Sequence, residues 1–448
     1  KFLILIIFLI HSKSNTFVTF KLKNNQQEIF EDIIKIMHED SASCKDIQGA
    51  DPAPYIEQIS EDMDDNDFVR LVSSYLAGFG LTGHLSFRKK GMFGIHFKVR
   101  RYGDTLYVVD VYGENEPMHV GDKIIKIDGM SVEEFYNANA EFFYNQPEER
   151  QTPHWKNVLK YAKLLTCLDK EGNEYTYEID ISDYKDAEDD RKYYYKQINN
   201  EVSYIYLADF DNEPAIVDMY NQNKEKMDNS RYLIIDVRGN SGGSDSAFFP
   251  LIRYCLPEGV ACKEVKLKSN KFSEGGMEIN FSERNCAIRK QSIEEYASQD
   301  IPEESKAMLN NMIEELDRNC GKGFITVSED DGGDSIDLPY TGDTKVERVF
   351  VITDEDCGSS GDNCVLVLGA FPKVTVVGRP TMGIMDYSNV AFENYGDFRL
   401  MYPTSRLTYI DKGIHMMAEG VPVDEYIPWT PEHLVSDVDV EYILNNLI

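Results

Sequence analysis

Residues 349–363 read Val-Phe-Val-Ile-Thr-Asp-Glu-Asp-Cys-Gly-Ser-Ser-Gly-Asp-Asn. The β-branched and aromatic run at the start of this stretch predicts a buried strand. An acidic, glycine-bearing turn follows, and apolar residues from Val365 to Ala370 then predict a helix. A serine between strand and helix lies where free N–H groups of the first helical turn can stabilise an oxyanion. Taken alone, the pattern is more typical of a polar helix N-cap, so other motifs must decide its role.

A second strand-to-turn pattern lies upstream, where residues 232–238 read Tyr-Leu-Ile-Ile-Asp-Val-Arg. A near-continuous apolar run of this kind predicts a strand of a parallel sheet that is covered on both faces. The run ends in Gly239-Asn240-Ser241-Gly242-Gly243, and a helical pattern follows. A glycine-rich turn at the carboxyl end of a parallel strand can bind an anion, although an ordinary loop fits equally well. Strands that alternate with helices predict an α/β fold built on a parallel sheet.

The region between Gly94 and Ile181 has short, strand-like apolar periods. Within it, residues 121–129 read Gly-Asp-Lys-Ile-Ile-Lys-Ile-Asp-Gly and precede a helical pattern. This string is typical of the second half of a PDZ-like module, which binds peptides by adding a strand to its sheet edge. A plain β-hairpin is the alternative.

These patterns predict an order of segments along the chain. We expect a signal peptide at residues 1–14, a helical region at 15–83, a PDZ-like β-rich module at 84–190 and a catalytic α/β domain at 191–448. Residues 257–339 are long, polar and charged, and they interrupt the sheet pattern. We expect them to form an insertion or lid on the catalytic domain.

Composition limits the classes of partner. The formal charge of -32 argues against nucleic acid or an anionic membrane surface. Residues 2–10 are wholly apolar and follow a lysine, which is typical of a signal peptide and too short to span a bilayer. We therefore expect a secreted or extracytoplasmic protein with no membrane partner in its mature form.

The cysteine and histidine patterns bear on cofactors. Eight cysteines permit disulfides in a secreted chain. The sequence contains no Cys-x-x-Cys or His-Glu-x-x-His string, so we expect no zinc site and no other cofactor.

Four strings in sequence order resemble the serine peptidases of the tail-specific (C-terminal-processing) and tricorn-core family. They are the glycine-rich turn at 236–243, the turn at 357–362, Gly-Arg-Pro-Thr-Met-Gly at 378–383 and Gly-Val-Pro-Val-Asp at 420–424. The resemblance implies a parallel-sheet domain of the ClpP/crotonase type. It also implies hydrolysis of peptide bonds in peptide or protein substrates through an acyl-enzyme, with Ser359 as the nucleophile. A register error of one residue would give that role to Ser360.

The resemblance also bears on the general base. In the tail-specific branch a lysine closely follows the last glycine of the 378–383 string, but here Ile384 follows it and no lysine occurs from 374 to 410. The tricorn-like branch uses a histidine just upstream of the PDZ-like module, and His84 stands at that position. A serine without a base is a poor nucleophile. The resemblance therefore assigns the base to His84.

The resemblance supplies two further sets of groups. A carboxylate should orient the histidine, and Glu419 is the nearest match to the glutamate of the tricorn-like branch, with Asp386 and Asp424 left open. The oxyanion hole would consist of the Ser360 N–H and an N–H from Gly242 or Gly243.

The sequence admits three other interpretations. The glycine-rich turn at 239–243 also resembles the nucleophile turn of trypsin-like proteases, but those folds are all-β and the chain has no Ala-Ala-His-Cys string, so Ser241 is interpreted as structural. A catalytically inactive peptidase-fold protein that binds peptides or a secreted partner is the main alternative, because the lysine is missing. A PDZ-type adaptor fits less well, since a long α/β pattern follows the module.

Overall fold

The computed structural model describes residues 25–91, 94–112, 117–181, 192–273, 275–298, 303–328 and 338–448. The predicted signal peptide at residues 1–14 lies outside these ranges. Within them, no helix is both long enough and apolar enough to cross a membrane.

Twelve α-helices occur in the described ranges, and several short 3₁₀ segments link them. The helices are α1 Gln26–Lys35, α2 Ala53–Ile56, α3 Asp65–Ala77, α4 Val132–Ala138, α5 Thr152–Leu159, α6 Glu213–Asn229, α7 Ile252–Cys255, α8 Glu283–Ala297, α9 Glu303–Asn319, α10 Ser360–Gly369, α11 Met416–Glu419 and α12 Val438–Tyr442.

Seventeen strands in the described ranges form three sheets. The strands are β1 Ser86–Lys89, β2 Phe97–Tyr102, β3 Thr105–Val111, β4 Lys123–Ile127, β5 Met130–Ser131, β6 Leu164–Leu168, β7 Glu174–Glu178, β8 Tyr193–Gln197, β9 Val202–Leu207, β10 Tyr232–Asp236, β11 Met277–Phe281, β12 Gly323–Ser328, β13 Arg348–Thr353, β14 Val374–Gly378, β15 Tyr387–Tyr395, β16 Phe398–Leu407 and β17 Glu425–Tyr426.

The chain divides into two compact units, each assembled from separate stretches of sequence. The first unit contains Lys1–Lys90, Lys271–Gly332 and Ile384–Met417, and the second contains Gly91–Asn270, Gly333–Gly383 and Ala418–Ile448. Most of the predicted insertion at 257–339 therefore falls in the first unit, and its two ends fall in the second.

The second unit holds the sheet with the order β17-β14-β13-β10-β9-β8. The pairs from β9 through β10, β13 and β14 to β17 are parallel, and only β8 runs antiparallel to its neighbour. All five residues of β10 are buried, as expected for a strand that is covered on both faces. Ile234 and Phe350 pack in one core cluster with Ile443, which follows α12. The predicted mixed α/β fold is confirmed.

The same unit contains an antiparallel sheet with the order β2-β3-β4-β6-β7, in which β5 pairs with β4. Helix α4 follows β5 and begins with a capping box, because Ser131 and Glu134 exchange hydrogen bonds with each other's backbone N–H. These elements come from the region for which short strands were predicted.

The first unit is built on the sheet β1-β16-β11-β12, with β15 paired to β16. Helices α8 and α9 pack against its strands through a core that includes Ile279, Ile293 and Leu316. Strand β1 follows His84 and pairs with β16, where Phe87 stacks on Phe398 with ring centroids 5.5 Å apart. This strand, which the sequence assigned to the start of the PDZ-like module, thus belongs to a different sheet.

Candidate active site

The turn between β13 and α10 carries Ser359 in a conformation that few residues adopt. Its backbone angles are φ 59° and ψ -123°, a left-handed region that is costly for any residue with a Cβ atom. Strain of this kind costs on the order of 1–3 kcal/mol and persists only where the surroundings enforce it, often at functional sites. The sharp strand-to-helix turn exposes part of Ser359, and nucleophilic serines recur in that geometry.

The neighbouring serine differs in both exposure and bonding. Ser360 is fully buried, and its hydroxyl donates a 2.6 Å hydrogen bond to the carbonyl oxygen of Gly243. Its backbone N–H occupies the first position of α10, where a helix supplies no acceptor. Ser359 is therefore the partly exposed serine of this turn, whereas the side chain of Ser360 is bonded inside the fold.

A buried carboxylate holds the turn in place. Asp362 is completely inaccessible, and its Oδ2 accepts the backbone N–H of Ser359 at 2.8 Å. Its Oδ1 accepts the N–H of Gly383 at 2.7 Å, and the N–H of Met382 donates to Cys357 O at 2.7 Å. The string at 378–383 thus supports the turn that carries the predicted nucleophile Ser359, which we call the nucleophile turn.

The glycine-rich turn after β10 lies directly beside Ser359. Asn240 O accepts the N–H of Gly358 at 2.9 Å, so the two turns are joined by backbone bonding. A Cβ atom on Gly242 would stand 2.6 Å from the Cβ of Ser359, which explains why this position needs glycine. Gly243 has φ 132°, and a Cβ atom there would stand 2.3 Å from the backbone of Phe210.

The two predicted oxyanion-hole glycines are not equivalent. The N–H of Gly242 already donates to Asn240 Oδ1 at 2.9 Å. Asn240 is itself fixed, because its Nδ2 donates to Leu207 O at 2.9 Å. Gly243 is therefore the better candidate to act with Ser360, and Gly242 is required for the close approach of the turns.

His84, the predicted base, belongs to the first unit and is half-buried. Its backbone also has a positive φ of 56°. The ring Nδ1 lies 2.7 Å from Tyr387 O, and because a carbonyl can only accept, Nδ1 carries the proton. In this tautomer the lone pair of the ring is on Nε2. Burial lowers the pKa of His84, and hydrogen bonds to the backbone of Tyr387 and of Ile384 partly oppose that shift.

The predicted third group, Glu419, lies in the second unit at the end of α11, and its side chain is exposed. Its backbone oxygen lies 3.4 Å from Arg150 Nη1, which also donates to Thr381 O at 2.7 Å. Arg150 Nη2 donates to Met382 O at 2.9 Å. Arg150 therefore ties the segment that carries Glu419 to the support of the nucleophile turn.

The two carboxylates left open by the sequence have different surroundings. Asp386, in the first unit, is completely buried and accepts bonds from the Tyr409 hydroxyl at 2.8 Å and from the N–H of Met416 at 2.9 Å. Burial raises the pKa of Asp386. Asp424, in the second unit, accepts the N–H of Val376 at 2.9 Å. That bond anchors the segment before β17 to β14.

Sequence reasoning missed the role of Asp362, although a signal was present. Ser359 and Asp362 form the Ser-x-x-Asp spacing of a capping pattern, in which the acidic side chain reaches back to the N-cap N–H. It also missed the ion pairs of the acidic residues 354–356. Arg100 Nη2 lies 2.6 Å from Asp354 Oδ2, and Lys98 Nζ lies 2.7 Å from Asp356 Oδ2.

Two buried carboxyl groups near the nucleophile turn have raised pKa values. Burial raises the pKa of Glu355 to about 7, although Arg100 lowers it in part. Burial also raises the pKa of Asp245 to about 6, against hydrogen bonds that include one from Asn363 Nδ2 at 2.6 Å. In the described part of the chain, no group of three or more His, Cys, Asp or Glu side chains is arranged to hold a metal.

Comparisons with solved structures find several similar chains, of which mature CPAF has the same fold. Mature CPAF in complex with lactacystin aligns with a TM-score of 0.60 and 13% identity, covering 94% of this chain and 96% of that chain. A putative peptidase from Parabacteroides merdae aligns with a TM-score of 0.46 and 16% identity, covering 95% of this chain and 97% of that chain. The photosystem II D1 C-terminal processing protease aligns with a TM-score of 0.43 and 12% identity, covering 91% of this chain and 94% of that chain.

Sequence comparisons give the family directly. A search of curated proteins finds no match. The model of peptidase family S41 matches residues 201–427, which include both turns, the string at 378–383 and the segment at 420–424. This match covers just over half of the chain, and the chain therefore belongs to peptidase family S41, a family of serine peptidases.

Proposed function

We propose that this serine peptidase cleaves peptide bonds through an acyl-enzyme formed on Ser359. The observation that carries the proposal is the strained and partly exposed Ser359, whose N–H is held by buried Asp362 beside the glycine-rich turn. A turn that is fixed in this way presents the hydroxyl without reorganisation during the reaction.

In the proposed reaction, His84 Nε2 takes the proton of the Ser359 hydroxyl while Oγ attacks the carbonyl carbon of the scissile bond. The N–H groups of Ser360 and Gly243 donate hydrogen bonds to the carbonyl oxygen as negative charge develops on it. The C–N bond then breaks, and His84 returns the proton to the leaving amine. A water molecule then attacks the acyl-enzyme while His84 again acts as the base. The bond to Ser359 Oγ breaks, Ser359 regains its proton, and the second product leaves. Tyr387 O, which accepts the Nδ1 proton, orients the imidazole of His84, and Glu419 is proposed to stabilise the positive charge that the ring gains.

We further propose that the antiparallel sheet of β2, β3, β4, β6 and β7 acts as a PDZ-like module that binds peptide or protein substrates. Two observations support this role. Strand β2 ends the sheet, and a peptide strand can be added at such an edge. The Gly-Asp-x-Ile-Ile-x-Ile-Asp-Gly string, which is typical of PDZ-like modules, forms β4 with its two flanking turns. Cleavage near the carboxyl end of a substrate and internal cleavage both fit this arrangement.

A catalytically inactive protein that binds peptides is the second candidate. The observation that favours it is the absence of lysine from 374 to 410, where the tail-specific branch carries its base. The two candidates differ in whether the Ser359 hydroxyl is activated.

Labelling with a fluorescent fluorophosphonate tests the proposal. We expect the wild-type chain to be labelled and to hydrolyse a casein-type substrate, and we expect Ser359→Ala to lose both properties. Ser360→Ala is the matched control: it should keep both, while losing the hydrogen bond to Gly243 at a stability cost of about 1 kcal/mol. A folded wild-type chain that is not labelled would favour the inactive alternative. Labelling that survives in Ser359→Ala but disappears in Ser360→Ala would move the nucleophile by one residue.

A further inference from the structure

A pocket lies in the first unit between helix α8 and the hairpin of β15 and β16. Its volume is about 70 Å³. Ile288, Arg289 and Ser292 line it from α8, and Phe392 and Thr404 line it from the hairpin. The pocket therefore combines one cationic side chain with hydroxyl groups and apolar walls.

Arg289 is half-buried, and among the residues that the structure describes its charge has no counter-ion. Its Nη2 donates to Thr404 Oγ1 at 2.8 Å, and within the described ranges no carboxylate forms an ion pair with it. Burial lowers the pKa of Arg289 to about 10, and the titratable neighbours that raise it are Cys286 and Tyr402. Both of those groups have raised pKa values and are neutral at neutral pH. A guanidinium withdrawn from water in this way favours an anionic partner.

Helix α8 carries a second arginine, Arg284, whose charge is balanced by carboxylates. Arg284, five residues earlier, lies 2.9 Å from Asp32 Oδ1, 2.9 Å from Asp40 Oδ2 and 2.6 Å from Glu393 Oε2. Three carboxylates thus surround one guanidinium, and burial raises the pKa of Asp40 and of Glu393. The nearby carboxylates thus pair with Arg284, and no carboxylate in the described ranges pairs with Arg289.

We propose that this pocket binds the carboxylate of a small organic acid of two to four carbons. The carboxylate would accept hydrogen bonds from the Arg289 guanidinium, and the hydrocarbon would pack against Ile288, Phe392 and Met312 of α9. The volume of the pocket restricts the size of the ligand. In another protein an engineered cavity of about 150 Å³ binds benzene, and this pocket has less than half that volume. The apolar walls favour an organic acid over inorganic phosphate, which has no hydrocarbon to bury. This site is independent of the proposed peptidase mechanism.

Isothermal titration calorimetry of the full chain with propionate tests the proposal. We expect saturable binding at one site per chain, and no binding of propionamide, which has the same shape without the charge. Because the chain carries a formal charge of -32, non-specific attraction of a small anion is not expected. Arg289→Gln should weaken propionate binding by about tenfold to a hundredfold, the usual effect of losing a hydrogen bond to a charged group.

Two further variants separate the site from general effects. Arg318→Gln removes an exposed positive charge from the neighbouring helix α9 and should leave propionate affinity unchanged. Ala391→Val narrows the pocket without changing its charge and should weaken propionate binding. This variant tests the site if Arg289→Gln does not fold. Absence of saturable propionate binding to the wild-type chain would overturn the proposal. Equal binding of propionamide, tighter binding of phosphate, or unchanged affinity in both pocket variants would also overturn it.

Discussion

Asp362 Oδ2 accepts the backbone N–H of Ser359 at 2.8 Å, and the other oxygen of the same carboxylate accepts the N–H of Gly383 at 2.7 Å. One buried side chain therefore bridges the nucleophile turn and the segment that supports it. A charge-assisted hydrogen bond to a backbone N–H is stronger than a neutral one. This bridge is the main restraint that we identify on the strained conformation of Ser359.

Asp362→Ala should remove this restraint. We expect kcat to fall by about 10²-fold, because a displacement of about 1 Å of a reacting group has an effect of that size. Asp362→Asn keeps one acceptor oxygen and should lose less activity than Asp362→Ala. Steady-state kinetics on a fluorogenic peptide, together with thermal unfolding, would measure both effects. Wild-type kcat in a folded Asp362→Ala variant would show that the bridge does not position Ser359.

Gly242→Ala tests the close approach of the two turns. The added Cβ would stand 2.6 Å from the Cβ of Ser359, so we expect the nucleophile turn to shift and the rate of fluorophosphonate labelling to fall by about 10²-fold. Gly239→Ala is the matched control, since Gly239 also has a positive φ, of 72°, but a Cβ atom there would meet nothing within 4 Å. Equal losses in the two variants would attribute the effect to backbone strain and not to contact with Ser359.

The pH dependence of hydrolysis tests His84. A general base must be neutral, and burial lowers the pKa of His84 from its ordinary value of 6.5. We therefore expect kcat/KM to stay level through neutral pH and to fall only as the pH drops through a value below 6.5. His84→Ala should lose activity by several orders of magnitude, whereas His119→Ala, at a position 73% exposed in the other unit, should leave the profile unchanged. An acid limb above pH 7 would argue against His84 as the base.

Asp245 should make stability depend on pH. Burial raises its pKa to about 6 in the folded chain, whereas an unfolded aspartate has a pKa of about 3.9. Between these values the folded state binds more protons, so stability falls as the pH rises through this window, by up to about 3 kcal/mol. Asp245→Asn should therefore raise the free energy of unfolding more at pH 7 than at pH 4.

Urea unfolding at the two pH values would measure the effect of Asp245→Asn. Asp218→Asn removes an exposed carboxylate from helix α6 of the same unit, and it should change stability equally at both values. A parallel response of the two variants would show that Asp245 does not hold its proton in the folded chain.

The sequence determined the local elements of this protein and its family. The apolar run at 349–353, the turn after it and the helical pattern from Val365 appear in the structure as β13, the Ser359 turn and α10. The glycine-rich turn at 239–243 follows β10 as predicted. Strand period, turn glycines and helix period are set by neighbouring residues, so they can be recognised without knowing the fold. Secretion rests on residues 1–14 alone and stays a prediction.

The tertiary structure decided which of two adjacent serines is accessible and what holds it. Ser360 is fully buried, and its hydroxyl bonds to the carbonyl oxygen of Gly243, which lies 117 positions away in sequence. The structure also decided that β1, β11 and β16, from three separate stretches of chain, form one sheet of the first unit. The physical reason is that strand pairing and buried hydrogen bonds depend on which distant segments pack together, and local residue patterns do not specify that choice.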